Sequence, residues 1–223
     1  MRHLALGLFA EGSSDIPFLR RIIYRSVEEN GTQLTQQRLE VLERFVEGDK
    51  YVSDQRAERI FEAFGKHVEE GVINLLFIHA DGNGDPKAAL KDRVCPAMQL
   101  LKETYRAVSF GIVPVIPVRE TEAWALADAE ALRAELGWYG NLPDMASPES
   151  LPDPKEVLKL IREEATPTAR RRSRRQSSYV GPISEGLGDR ISLRKLRQLD
   201  SFKRFEADLK DALRALWNLP LLD

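Results

Sequence analysis

The chain has 223 residues, 43% of them hydrophobic and 30% charged, which excludes a disordered tail or a collagen-like repeat and fits one domain with an appendage. Its 33 basic and 35 acidic side chains leave a net charge of −2, so a uniformly basic nucleic-acid binder is excluded while a local basic patch is not. The single cysteine, Cys95, rules out an internal disulfide framework and a cysteine-rich zinc site. A lone thiol suits a reducing cytoplasm, and the opening apolar stretch ends at Ala10, too short to span a bilayer. A cytoplasmic protein with no membrane partner is therefore expected.

Leu4 to Ala10 reads as a buried strand closed by Glu11-Gly12. Ser13, Ser14 and Asp15 are N-cap types and Pro17 suits a first helical turn. Phe18, Leu19, Ile22, Ile23 and Val27 recur at helical spacing, with Asn30-Gly31 as the stop. Leu39, Val41, Leu42, Phe45 and Val46 are read as a strand, and Asp54 to Gly71 as a second amphipathic helix. Val72 to Ile78 is almost wholly apolar, as parallel strands covered on both faces are.

The turn His79-Ala80-Asp81-Gly82-Asn83-Gly84-Asp85 follows, and Pro86 opens a helix through Leu101. The strand Phe110 to Val118 contains Pro114 and Pro117, which lack amide donors and suit an edge or a bulged strand. A helix over Thr121–Leu136 completes an α/β domain of residues 1–136, with a mainly parallel sheet of about four strands flanked by helices. Residues 137–223 read as a loop, a helix from Pro154 to Ala165, a basic segment and a final helix over Ser201–Trp217, packed on that core. Between Thr166 and Leu199 nine Lys or Arg face only Glu185 and Asp189, a net of +7, so the remainder carries −9.

Acidic residues gather at two predicted strand ends: Glu11 after the first strand, and Asp81 and Asp85, with Asn83 between them, after the most apolar one. Ligands of parallel α/β sheets bind beyond the carboxyl ends of the strands, so the two groups are placed to converge. Converging carboxylates repel unless a cation lies between them, and oxygen-only ligands suit Mg²⁺ or Mn²⁺. Such an ion polarises a phosphodiester and activates water. Each residue also has a plainer reading: Asp15 and Asp85 as helix N-caps, Asp81 to Gly84 as a simple turn, Trp124 as core packing. Glu120 and Glu122 suit the positive end of the helix they open, and Arg119 faces a phosphate or pairs with them. Arg170, Arg171, Arg172, Arg174 and Arg175 track a phosphate backbone or form a solvated loop.

Glu11-Gly12-Ser13-Ser14-Asp15 after one strand and Asp81-Gly82-Asn83-Gly84-Asp85 after a later one resemble the Toprim domain of topoisomerases, bacterial primases and the nucleases named for overcoming lysogenization defect. The second element reads Asp-x-Asn-x-Asp rather than Asp-x-Asp, so Asn83 or Asp85 takes the second acidic position. Together with Glu122-Ala123-Trp124-Ala125-Leu126-Ala127-Asp128, and with Ile191-Ser192-Leu193 and Leu196-Arg197 before Ser201-Phe202 and Phe205, the chain is similar to an uncharacterised bacterial Toprim-like family. The resemblance implies a Rossmann-like fold and a Mg²⁺- or Mn²⁺-dependent nuclease acting on DNA or RNA. Glu11 would act in acid–base catalysis or on the metal. Asp81, with Asn83 or Asp85, would hold the ion, and Glu122 would complete the site. Arg119 and the arginine run would bind nucleic acid. The same resemblance implies an alternative role as a partner subunit of an ATPase in a bacterial phage-defence module. A homodimer is compatible with either.

Overall fold

The apolar run ending at His79 lies inside a sheet whose every neighbouring pair is parallel. The structure, a computed structural model, describes residues 2–37, 39–47, 55–143, 145–165 and 183–220. Its strands are β1 (Arg2–Phe9), β2 (Leu39–Glu47), β3 (Leu75–His79) and β4 (Gly111–Val115), in the order β2-β1-β3-β4. This is the α/β, Rossmann-like arrangement that the alternation of strands and helices predicts. Successive β3 side chains leave opposite faces: Leu75 and Phe77 enter one apolar cluster, Leu76 and Ile78 the other. Strand β4 is at the edge, where Pro114 can sit without breaking an inner ladder.

Helix α1 (Ile16–Thr35) and the C-terminal helices cover one face. Helix α2 (Arg56–Glu69) and α4 (Cys95–Thr104), the latter preceded by the short α3 (Pro86–Ala89), cover the other. Helix α1 runs past the Asn30-Gly31 stop that its sequence suggests. Asn30 is buried and donates to Ser26 O at 2.8 Å and to Glu206 Oε1 at 3.1 Å. A Cβ on Gly31 would come within 2.6 Å of Leu39, so this glycine serves close packing, and the helix ends instead at Gln36 with φ of 51°.

Between α3 and α4 the helix widens into a π turn, Leu90–Val94. Pro96 is the physical reason. It has no N–H for the Asp92 carbonyl and its ring would strike that carbonyl in a regular helix. The wider turn lets Cys95 N–H bond to Leu90 O instead. The helix expected over Thr121–Leu136 divides into α5 (Glu122–Ala125) and α6 (Ala129–Leu136), because Asp128 accepts from the N–H groups of Glu130 and Ala131 and starts a new helix.

The C-terminal part adds α7 (Pro154–Glu164), α8 (Glu185–Arg190), α9 (Leu193–Leu196) and α10 (Asp200–Trp217). Helices α8 and α10 pack on α1, and α10 also lies against β4. One apolar cluster takes in Leu4, Leu6 and Leu8 of β1 together with Phe202, Phe205 and Leu213 of α10, so the C-terminal helices share the sheet's core. No helix among the described residues is long and apolar enough to cross a membrane.

Candidate active site

From β1 the chain passes through α1 to β2 on one side, then through α2 to β3 on the other side of β1. The β1–β3 boundary is thus the point where strand order reverses, and open α/β sheets bind ligands beyond the carboxyl ends of the strands there. The register carries Phe9 opposite Ile78, so Glu11 and Asp81 leave the sheet side by side. The Asp81 N–H donates to Glu11 Oε2 at 3.1 Å.

His79 ties these loops together. It is 0% exposed, and its Nδ1 accepts the Glu11 N–H at 3.3 Å. In the neutral ring the proton is therefore on Nε2, which lies 3.1 Å from Thr121 Oγ1 and 3.4 Å from Asp81 Oδ1. Asp81 Oδ1 is buried and has no hydrogen bond shorter than this 3.4 Å approach.

Two arginines close the opposite side. Arg93, in the π turn, pairs through Nη2 with Glu11 Oε1 and donates through Nη1 to the Asp81 carbonyl at 2.9 Å. Arg56, near the start of α2, donates to the His79 carbonyl at 2.5 Å and to the Arg93 carbonyl at 3.0 Å. Its Nη1 lies 3.9 Å from Glu11 Oε2, and its guanidinium stacks 5.1 Å from the Phe9 ring centroid.

The loops after β3 and β4 extend their strand pairing as backbone hydrogen bonds: Ala80 N to Val115 O, Gly82 N to Pro117 O, Asn83 N to Arg119 O and Gly84 N to Val118 O. Only glycine fits at 82, because a Cβ would come within 2.3 Å of Pro117 O and 2.5 Å of Val118 O. This zipper brings Asp81 beside the acidic start of α5. Burial raises the Glu120 carboxyl above its ordinary range and the Asp81 charge adds to this, with Lys155 opposing; Glu120 Oε2 is buried without a hydrogen bond. Glu122, 4% exposed, is pushed up to about 7 by burial first and then by Asp15 and Glu120, against its own backbone N–H and Lys155. Asp15 stands at the N-cap position of α1, but its side chain makes no capping bond. It is buried, and burial raises its carboxyl despite His79 nearby.

The structure thus brings Glu11, Asp81 and Glu122 to one end of the sheet. Asp85 instead caps α3, accepting the Ala88 N–H at 3.0 Å, and Asn83 is exposed in a left-handed turn with φ of 49°. The acidic turn therefore offers Asp81 to the site and spends Asp85 on a helix end. Arg119 lies over the same turn, its Nη1 3.6 Å from where a Gly84 Cβ would be. Arg170, Arg171, Arg172, Arg174 and Arg175 lie outside the described residues. Trp124 is core: it meets Phe202 edge-on at 5.1 Å and donates to Ser201 Oγ at 2.7 Å. Asp128 accepts from Ser192 N–H at 3.0 Å and from Lys195 at 2.8 Å.

Arg56, Arg93 and the placement of Asp15 escape sequence reasoning. Glu120 carried a readable signal, since it follows a strand end as Glu11 and Asp81 do.

Among the described residues no three His, Cys, Asp or Glu side chains are grouped so as to hold a metal ion. Mg²⁺ commonly takes only one or two carboxylates and completes its shell with water and substrate phosphate. The two orphaned oxygens, Asp81 Oδ1 and Glu120 Oε2, fit that smaller demand.

Residues 10–210 match a family defined by a domain of unknown function (DUF4276), and the chain belongs to it. No curated protein and no solved structure matches.

Proposed function

We propose that this protein hydrolyses phosphodiester bonds in nucleic acid with Mg²⁺ or Mn²⁺, using the carboxylates beyond β1, β3 and β4, as its resemblance to Toprim nucleases implies. The observation that carries the reading is the hydrogen bond between Glu11 and Asp81, residues 70 apart in sequence, at the reversal of strand order. Asp81 Oδ1 and Glu120 Oε2 would hold the ion, and Glu11 Oε1 would join them once its pair with Arg93 opens. The bound ion supplies a Lewis acid for the phosphoryl group and an activated water.

The chain's own residues do the rest. His79 orients Asp81 and the Glu11 backbone from beneath. Glu122 and Asp15, whose carboxyls burial holds above the ordinary range, stand behind the ion site, where a bound cation would favour their ionised forms. Arg119, beside the acidic turn, steers the substrate backbone.

Cleavage of single- and double-stranded DNA and RNA with Mn²⁺ is the test. Glu11→Gln and Asp81→Asn each reduce the rate by at least about a hundredfold, the usual scale for losing a preorganised charge, with unchanged thermal unfolding. Activity that survives both substitutions, or no cleavage by the wild type, overturns the reading. A role as an ATPase partner subunit is the reading that inactivity would leave standing.

A further inference from the structure

We propose that Arg93 is an exchangeable occupant of the ion site: it neutralises Glu11 in the free protein and passes to a substrate phosphate oxygen when ion and nucleic acid bind. The inference rests on the hydrolytic reading above and assigns the phosphate receptor of that same site.

One guanidinium spans both acidic loops, touching Glu11 Oε1 with Nη2 and the Asp81 carbonyl with Nη1. A guanidinium and a divalent ion cannot share the same carboxylate edge without placing like charges in contact, so one displaces the other. The pair is open to exchange, since the Arg93 side chain is 26% exposed and that of Glu11 33%. Loss of the contact leaves the loops anchored, because Arg56 independently holds the His79 and Arg93 carbonyls. The released fork presents two parallel N–H donors, the geometry that matches phosphate oxygens. Its position in a π turn is in keeping, as such turns recur where a helix serves a site.

Mn²⁺ titration followed by electron paramagnetic resonance, without nucleic acid, reads the competition directly. Arg93→Gln binds Mn²⁺ about fivefold more tightly than the wild type, the scale of a partly exposed ion pair that the ion no longer has to break. The double variant Glu11→Gln with Arg93→Gln loses that gain. With Mn²⁺ present, Arg93→Gln binds an oligonucleotide about tenfold more weakly, as the loss of a charged hydrogen bond implies. Arg93→Lys, which keeps a cation for the Asp81 carbonyl without the fork, falls between wild type and Arg93→Gln for Mn²⁺. Mn²⁺ affinity no tighter than wild type in Arg93→Lys overturns the proposal even where Arg93→Gln fails to fold. So does a gain that persists without Glu11. Wild-type cleavage that depends on Glu11, with Mn²⁺ affinity indifferent to residue 93, sinks the exchange alone. Absence of wild-type cleavage sinks the hydrolytic reading.

Discussion

Glu122 is a carboxyl group whose folded surroundings resist its ionisation. Its folded value of about 7 exceeds the ordinary 4.5, so between those pH values the folded state binds the proton more tightly than the unfolded one. The contribution to stability is therefore fully present below about pH 4.5 and is lost as pH rises through 7. Glu122→Gln removes a charge the interior disfavours, so it raises the melting temperature at pH 8 and changes it little at pH 5. Each kcal/mol recovered moves the midpoint by roughly 2–4 °C in a chain of this size. Equal shifts at both pH values would mean that Glu122 ionises freely. The same residue shows why some of the site was hidden in the sequence. A glutamate that opens a helix and a glutamate buried against two other acids carry the same local pattern; so do a capping aspartate and Asp15.

At the level of strands, helices and turns, the readable part was what depends on chain order alone. Strand ends located Glu11 and Asp81, and the prolines of β4 marked an edge or a bulge, of which the sheet order shows the edge. Arg56 and Arg93 were not readable, because they reach the site only when α2 and the π turn pack over the ends of β1 and β3. The turn after β3 is where local sequence and long-range packing meet. Gly82→Ala forces a methyl group into two carbonyl oxygens of the neighbouring loop and costs about 1–3 kcal/mol, the range for overpacking. Urea denaturation measures the loss, and cleavage falls with it because the same loop carries Asp81. Unchanged stability would show that the two loops can separate freely.

Over the whole molecule, the segment from Glu122 to Asp128 joins the site to the C-terminal helices. Glu122 faces the acidic end of the sheet, Trp124 packs against both Phe202 and Phe205, and Asp128 holds Ser192 and Lys195. Ser201, which accepts from Trp124, in turn donates to Glu149. Trp124→Ala empties the largest fully buried side chain and costs about 3–5 kcal/mol in urea denaturation. A loss below 1 kcal/mol would mean that the C-terminal helices are dispensable to the core. That a tryptophan segment would bind distant helices was legible only as an apolar face; its partners, some 77 residues onward, were set by the folded topology.

The widened turn before α4 ends at Cys95, which is exposed and is the sole thiol in the sequence. A maleimide fluorophore attached there needs no engineered cysteine-free background. Two residues from the guanidinium that bridges the acidic loops, such a dye would turn a rearrangement of a single side chain into an optical signal that can be followed in real time.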